Sequence, residues 1–454
     1  MSSELRKLWE HAGGQLPDDW SIVSFESLLR DNKSIAVGVM YPGPDTPGGV
    51  PLLKVGDVKD GSVPKKPSYC ISAETDEEHK RTKLIGDELL ITLVGNPGEC
   101  VVVTQEMAGW NPARAIAVAR LQDPSLRTYV KTVLESTAGR HLIDAVLNTT
   151  VQKTLNLKDI RRLPIPLPSS ATIKGISSFS EALTMRITLL RETNATLESI
   201  AQALFKSWFV DFDPVRAKAE GRQPEGMDAT TAALFPDSFE ESELGLVPRG
   251  WMVKPVGDAV DCLGGGTPDT KETSYWEPAE HCWTTPKDLS GLQSPVLLRT
   301  ERQLSSLGLA KVSSGLLPTG TLLLSSRAPI GYLAIAQMPV AVNQGYIAIP
   351  RGGELSPLYM LFWCRQNMEG IKGRANGSTF MEISKKAFRP IPALVPAVDV
   401  LDAFANIAEP LFKRLVENER QAQRLTEIRD TLLPRLISGQ LRLPEAESLL
   451  EKAL

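Results

Sequence analysis

Leu197-Glu198-Ser199-Ile200-Ala201-Gln202-Ala203-Leu204-Phe205-Lys206-Ser207-Trp208 places apolar side chains three and four apart. Leu425-Thr426-Glu427-Ile428-Arg429-Asp430-Thr431-Leu432-Leu433-Pro434-Arg435-Leu436 repeats that spacing without a gap, each apolar position displaced by 228. Three-and-four spacing is the signature of one face of an α-helix. The stripes run on backwards through Phe179, Leu183, Ile187 and Leu190 in one case and Phe404, Ile407, Leu411 and Leu415 in the other. Each predicts a helix of roughly 35 to 40 residues, about 55 Å long. A single such stripe reads as a core helix of a bundle. Two equal ones, neither with a helical neighbour in sequence, bury their stripes most simply against each other, antiparallel, as a coiled-coil spacer holding two globular domains apart. Pro166 and Pro168 punctuate the first entry and Pro392 and Pro396 the second. Pro410 and Pro434 fall inside the second pattern and are expected to kink or divide it.

A nearly equal displacement organises the rest of the chain. Leu16-Pro17-Asp18-Asp19-Trp20 returns as Val247-Pro248-Arg249-Gly250-Trp251, and Lys54-Val55-Gly56-Asp57 lies where Thr285-Pro286-Lys287-Asp288 lies later, both shifted by 231. Leu93-Val94-Gly95-Asn96-Pro97-Gly98 answers to Ser326-Arg327-Ala328-Pro329-Ile330-Gly331, Asn111 to Asn343, and Leu163-Pro164-Ile165-Pro166 to Arg389-Pro390-Ile391-Pro392. Their order and near-constant shift mark two halves built on one plan. Each half opens with a strand-rich, Gly- and Pro-rich part, including Ile91–Val94, Val101–Thr104, Thr321–Leu324 and Ala341–Ile349, and closes with its helix.

Composition excludes several classes. The 454 residues carry 50 Lys+Arg against 54 Asp+Glu, a net charge of −4, with 42% hydrophobic residues. That is a folded protein of several domains, not a disordered chain, and not a small basic nucleic-acid module. The five cysteines (Cys70, Cys100, Cys262, Cys282, Cys364) are scattered with no C-x-x-C pair, which fits a reducing compartment and no zinc site. The charged stretch Met1–Trp9 is not expected to be a signal peptide, and no apolar run is long enough for a membrane span. A cytoplasmic protein with no membrane partner is expected.

Catalytic signatures are poor. Gly264-Gly265-Gly266 is followed by Thr267-Pro268 instead of the Lys-Ser/Thr of a phosphate loop, so a tight turn is the better reading. No G-x-S-x-G, H-E-x-x-H or adenine-methyltransferase Asn/Asp-Pro-Pro-aromatic element occurs, and the four histidines are isolated. The chain is expected not to be an enzyme, to hold no metal and to carry no cofactor of its own. Binding candidates are better. In the second half Lys287, Arg327, Asn343, Gln344, Lys372, Arg374 and Ser378 combine basic and amide groups on Gly-rich loops; in the first, Lys54, Asn96, Asn111, Arg114 and Lys153 do so. Lys and Arg neutralise phosphates, while Arg, Asn and Gln can pair bidentately with base edges. Each alone reads as a solvated loop residue; together they form two matched sets.

At this point the chain resembles a known family, the specificity (S) subunits of type I restriction–modification systems. The most specific stretch is Trp208-Phe209-Val210-Asp211-Phe212-Asp213-Pro214-Val215-Arg216-Ala217-Lys218-Ala219-Glu220-Gly221, with Leu234-Phe235-Pro236-Asp237-Ser238-Phe239 and Ser242-Glu243-Leu244-Gly245. By composition alone that region reads as a linker. Gly265-Gly266-Thr267-Pro268, Trp283-Thr284-Thr285-Pro286-Lys287-Asp288-Leu289, Ser326-Arg327-Ala328-Pro329-Ile330-Gly331 and Leu432-Leu433-Pro434-Arg435-Leu436-Ile437-Ser438-Gly439 also look like family signatures. The first half is more divergent. The resemblance implies an α/β (α+β) target-recognition domain in each half and a pseudo-two-fold pair of long helices, with Leu197, Ile200, Leu204, Trp208, Leu425, Ile428, Leu432 and Leu436 serving helix pairing and partner binding. It implies a double-stranded DNA ligand with a bipartite, asymmetric target. It also implies two methyltransferase (M) subunits, which use S-adenosylmethionine, and restriction (R) subunits, which use ATP and Mg2+.

The expected organisation is an N-terminal extension (1–15), a first recognition domain (16–168), a long helix (169–212), a linker (213–246), a second recognition domain (247–392), a second long helix (393–440) and a tail (441–454). The alternatives are an orphan or modification-only recognition subunit and, from a different class, a nucleotide-using enzyme built on the 264–266 loop. Charge is unevenly spread: residues 246–392 carry fifteen basic and eleven acidic side chains, residues 16–165 eighteen and nineteen. The acid excess therefore lies mainly in the helices, linker and termini.

Overall fold

The structure, a computed structural model, describes residues 2–59, 61–147, 153–377 and 381–453. The chain forms two compact units, Met1–Ile187 with Arg424–Leu454, and Thr188–Gln423. Two long helices contribute to both. They span Ser170–Phe209 and Val398–Ile437, 40 residues each and displaced by 228 at both ends, as the stripes predict. The fold class is the expected one, an α+β domain in each half together with a pair of long helices.

Each unit contains three corresponding sheets, although the fourth strand of the largest differs: Ile35–Val37 lies antiparallel beside Ile116–Arg120 in the first, Val296–Leu297 parallel beside Leu333–Ala336 in the second. In the first, a four-stranded antiparallel sheet orders Ile35–Val37, Ile116–Arg120, Glu88–Thr92 and Cys100–Val102. A three-stranded sheet centres on Val50–Leu53, and Ser21–Ser24 pairs with Pro164–Leu167 at the helix entry. In the second, Leu322–Ser325 takes the place of Glu88–Thr92 between Leu333–Ala336 and Tyr346–Ile349. His281–Thr284 there centres the three-stranded sheet, and Met252–Pro255 pairs with Pro392–Val395. The central strands are apolar on both faces, and Leu322, Leu323 and Leu324 are fully buried.

The equivalence extends to single hydrogen bonds. Phe25 N donates to Leu163 O at 2.8 Å where Val256 N donates to Ile391 O at 2.8 Å, and Leu93 N to Ala115 O where Ser326 N donates to Gly345 O, again both 2.8 Å. The buried Tyr129 hydroxyl donates to Pro166 O as that of Tyr359 does to Leu394 O. Asp57 and Asp288 each close a capping box on the amides of Lys54 and Thr285, at 2.9 and 2.7 Å.

Within the second unit the two helices run antiparallel, for Asn194 meets Leu415 and Asn418 while Phe205 and Phe209 meet Phe404. Their buried seam steps through Leu190, Asn194, Leu197, Ala201 and Phe205 or Leu204 to Trp208, the alternating four-three period of a coiled coil. Ile200 falls beside that seam and is 50% exposed, and Ile407 on the other helix is 43% exposed, so neither belongs to the stripe as expected. Leu197, Leu204 and Trp208 pack into the unit, and Leu425, Leu432 and Leu436 are buried. Ile428 is half-buried. Pro410 and Pro434 do not divide the second helix, which is continuous through both. A proline removes one internal amide bond, and the apolar seam on either side holds the helix together across that loss.

Residues 213–246, a linker by composition, are folded. Two short helices, Asp213–Ala219 and Ala229–Ala233, lead into a hairpin of Phe239–Ser242 and Gly245–Pro248. Val215, Phe235 and Val247 are buried in one core with Trp208, Phe209 and Trp251, and Trp208 stacks edge-on against Phe235 at 5.0 Å between centroids. The termini are also ordered: helix Ser2–His11 seats Trp9 in the first unit, and helix Leu443–Ala453 buries Ala446.

Candidate nucleic-acid interface

The hydrogen-bond frame fixes where each candidate side chain lies. In the second unit the capped turn Thr285–Asp288, the loop 326–331 and the end of the strand Ala341–Val342 converge. Lys287, Arg327 and Asn343 line one concavity of about 410 Å³ with Thr285, Pro286 and Tyr332. Ala328 holds its backbone at φ 54, which bends the loop sharply after Arg327. The Arg327 guanidinium lies 3.6 Å from the Glu382 carboxylate and Lys287 bonds Glu301 at 2.8 Å, a hydrogen bond that holds the lysine's proton more tightly than usual. Both cations are thus oriented yet remain partly or wholly open to solvent, where such pairs exchange at little cost. Asn343 spends its carbonyl on Gly345 N at 2.8 Å and keeps its amide nitrogen; neighbouring Gln344 accepts from Thr267 at 2.7 Å. Fixed guanidinium, ammonium and amide donors around one hollow suit phosphate and base-edge recognition.

Lys372 and Arg374 are exposed at the end of the short helix Met368–Gly373, with Lys372 3.6 Å from Glu369, and they do not line that concavity. Ser378 lies outside the described residues.

The first unit gathers fewer of its expected residues. Asn111 is 0% exposed; its amide nitrogen donates to Asp76 at 2.8 Å and its carbonyl accepts from Thr82 at 2.9 Å. It is a core brace and cannot meet a ligand at the surface. The hydrogen bonds also correct its pairing. Ala113 N donates to Leu53 O where Asn343 N donates to Thr284 O, so Ala113 matches Asn343 and Arg114 matches Gln344, two residues on from the pairing expected. Arg114 is exposed. Lys54 matches Thr285 and not Lys287, whose counterpart is Gly56, and its ammonium rests 3.4 Å above the Tyr69 ring. Asn96 is exposed and bonds Glu99 at 3.1 Å; the loop carrying it turns at Gly95 and Gly98, both at positive φ, as the later loop does at Ala328 and Gly331. Lys153 is exposed.

Among the described residues no three His, Cys, Asp or Glu side chains group as a metal site. The buried thiols of Cys100 and Cys364 are driven upward in pKa by desolvation and that of Cys262 to about 11, so none supplies a thiolate at neutral pH. No helix among the described residues is long and apolar enough to cross a membrane.

Comparison with known proteins agrees with this arrangement. Residues 248–425 match the family described as the type I restriction modification DNA specificity domain. The chain is 35% identical over 191 residues to the type I restriction enzyme MjaIX specificity subunit of Methanocaldococcus jannaschii, covering 42% of this chain and 44% of that one. It is 28% identical to the HindI specificity subunit of Haemophilus influenzae, over 69% of this chain and 74% of that one. In fold it resembles the S subunit of a type I restriction–modification system from M. genitalium, with a TM-score of 0.52 at 17% identity over 93% of this chain and 97% of that one. The chain is thus similar to the specificity subunits of type I restriction–modification systems, in sequence most closely over residues 248–425 and in fold over most of its length.

Proposed function

We propose that this chain is the DNA sequence-specificity subunit of a type I restriction–modification complex and carries no catalysis of its own. The observation that carries the reading is the match of residues 248–425 to a DNA specificity domain, together with the recurrence of that domain's hydrogen-bond frame in residues 16–167. Two domains on one frame with different surface residues favour a target in two unlike parts separated by unread base pairs. Methyltransferase subunits supply S-adenosylmethionine-dependent adenine methylation, and restriction subunits supply ATP- and Mg2+-dependent translocation and cleavage; this chain directs both. The lack of strong net positive charge fits a subunit that selects bases while larger partners share the phosphate contacts. The complex works in the cytoplasm.

Methylome sequencing of the host with and without this gene tests the reading. A single bipartite motif that loses methylation on deletion is expected; an unchanged methylome overturns it. Methyl transfer by the purified chain alone would overturn the non-catalytic assignment.

A further inference from the structure

The first domain lacks most of the polar set that lines the concavity of the second. Ala113, Gly56 and Val94 stand where the second domain has Asn343, Lys287 and Arg327. Something else is presented there. Gly38 is stitched to the strand ends, its amide donating to Ile116 O, while Val39 N donates to Pro112 O at 2.7 Å and Arg114 N returns to Val39 O at 2.8 Å. A Cβ on Gly38 would stand 2.0 Å from Pro112 O, as one on Gly265 would stand 1.6 Å from Val342 O. The two glycines mark the same point of the frame. One residue further on, after Val39 and Gly266, come Met40 and Tyr41 in the first domain and Thr267 and Pro268 in the second.

Met40 is 40% exposed and Tyr41 79% exposed, beside exposed Arg114. Their loop is braced at its far end. The Tyr69 hydroxyl donates to Gly43 O, Cys70 N to the Asp45 carboxylate at 2.9 Å, Thr46 N to Cys70 O at 3.0 Å, and the Lys54 ammonium covers the Tyr69 ring. A side chain held out on a fixed backbone contributes nothing to the core and loses little freedom on contact, which favours recognition. In the second domain Thr267, the counterpart of Met40, donates to Gln344, so this edge of the frame adjoins the candidate interface there.

We propose that Tyr41, flanked by Met40 and Arg114, is a specificity-determining residue of the first recognition domain, which reads its part of the DNA duplex by apolar and aromatic contact with bases where the second domain uses guanidinium and amide groups. Thymine methyl groups, displayed with the base edges in the major groove, are the chemistry such a surface recognises. The inference rests on the DNA-specificity reading above.

The test uses the full-length chain with the methyltransferase subunits of the proposed complex, selecting from a pool of random double-stranded oligonucleotides, followed by affinities for every single-base variant of the selected duplex. Wild type is expected to enrich a bipartite sequence; if it enriches none, the functional reading itself fails. Given that enrichment, Tyr41→Ala should lower discrimination about ten-fold at one or two adjacent base pairs within one part of the target. The other part and the thermal unfolding temperature should be unchanged, and Tyr41→Phe should retain discrimination. Unaltered discrimination in Tyr41→Ala, a uniform loss across all sequences, or a loss in Tyr41→Phe equal to that in Tyr41→Ala would each overturn the proposal.

Discussion

The two units share a frame and differ in what fills it. Around the helix pair the second unit packs Phe205, Trp208, Phe209, Phe235, Trp251, Tyr359, Phe362 and Phe404, with ring centroids mostly 5 to 6 Å apart (Phe205–Tyr359 5.0 Å, Phe209–Phe404 5.2 Å). A displacement of 228 puts Leu433, Leu436, Ile437 and Ile176 of the first unit opposite Phe205, Trp208, Phe209 and Phe404, and all four are buried. A shared main-chain frame therefore tolerates aromatic side chains at these helix positions in one unit and aliphatic ones in the other, with the Tyr129/Tyr359 pair kept in both. Volume and apolarity decide what suffices to fold; ring geometry adds about 0.5–1.5 kcal/mol per pair beyond burial.

That contrast can be broken by substitution. Trp208→Ala removes a buried ring from the aromatic cluster and should destabilise the second unit by about 3–5 kcal/mol, read from the urea midpoint of its unfolding transition. Leu436→Ala in the first unit should cost less; equal costs would mean the clusters are energetically alike. Gly265→Ala and Gly38→Ala test the shared frame instead of its filling. Each added methyl meets a main-chain oxygen that cannot swing aside, so each should cost about 1–3 kcal/mol or more. A penalty in only one of them would show that the loops are not equivalent.

The helix seam of the second unit offers a third test. Asn194 and Asn418 are both buried and joined at 3.0 Å, with Asn194 also donating to Leu415 O at 3.2 Å. Asn194→Leu leaves a buried amide without its partner and should cost about 1–3 kcal/mol. Asn194→Leu with Asn418→Leu should recover much of that loss; strictly additive penalties would show that the two amides act independently. The smallest effect is expected at Lys287, exposed and paired with exposed Glu301. Lys287→Ala should leave thermal unfolding unchanged, weaken binding to all duplexes alike, and reduce the salt slope of binding by about 1. A sequence-dependent loss would move Lys287 from phosphate to base contact.

The existence, length and mutual register of the helices were legible in the sequence, though their ends were not, because a periodic apolar stripe survives substitution of one apolar side chain for another: Leu197 and Leu425, or Leu204 and Leu432, keep register whatever stands between them. Periodicity did not separate Ile200 from Ala201, since an isoleucine one step off the seam scores higher than the alanine on it. In the strand-rich parts the identities that invited alignment misled. Asn111 and Asn343 look alike, yet the bonds Ala113–Leu53 and Asn343–Thr284 place them two residues out of register, one in the core and one at the surface. Alternating strands give no warning of an even slip, because a shift of two keeps every side chain on its face. The folded segment 213–246 escaped composition because its core contribution is a few spaced residues, Val215, Phe235 and Val247, among polar neighbours.

The close approach of Gly38 and Gly265 to the strand ends has an evolutionary consequence. It assigns geometry to main-chain atoms and leaves Met40 and Tyr41 in the first domain, and Thr267 in the second, exposed and outside the core. Surface substitutions of that kind alter stability by no more than about 0.5 kcal/mol. New contact residues can therefore be tried after either glycine one at a time, each on an intact fold, and a change of DNA preference requires no compensating change elsewhere in the domain.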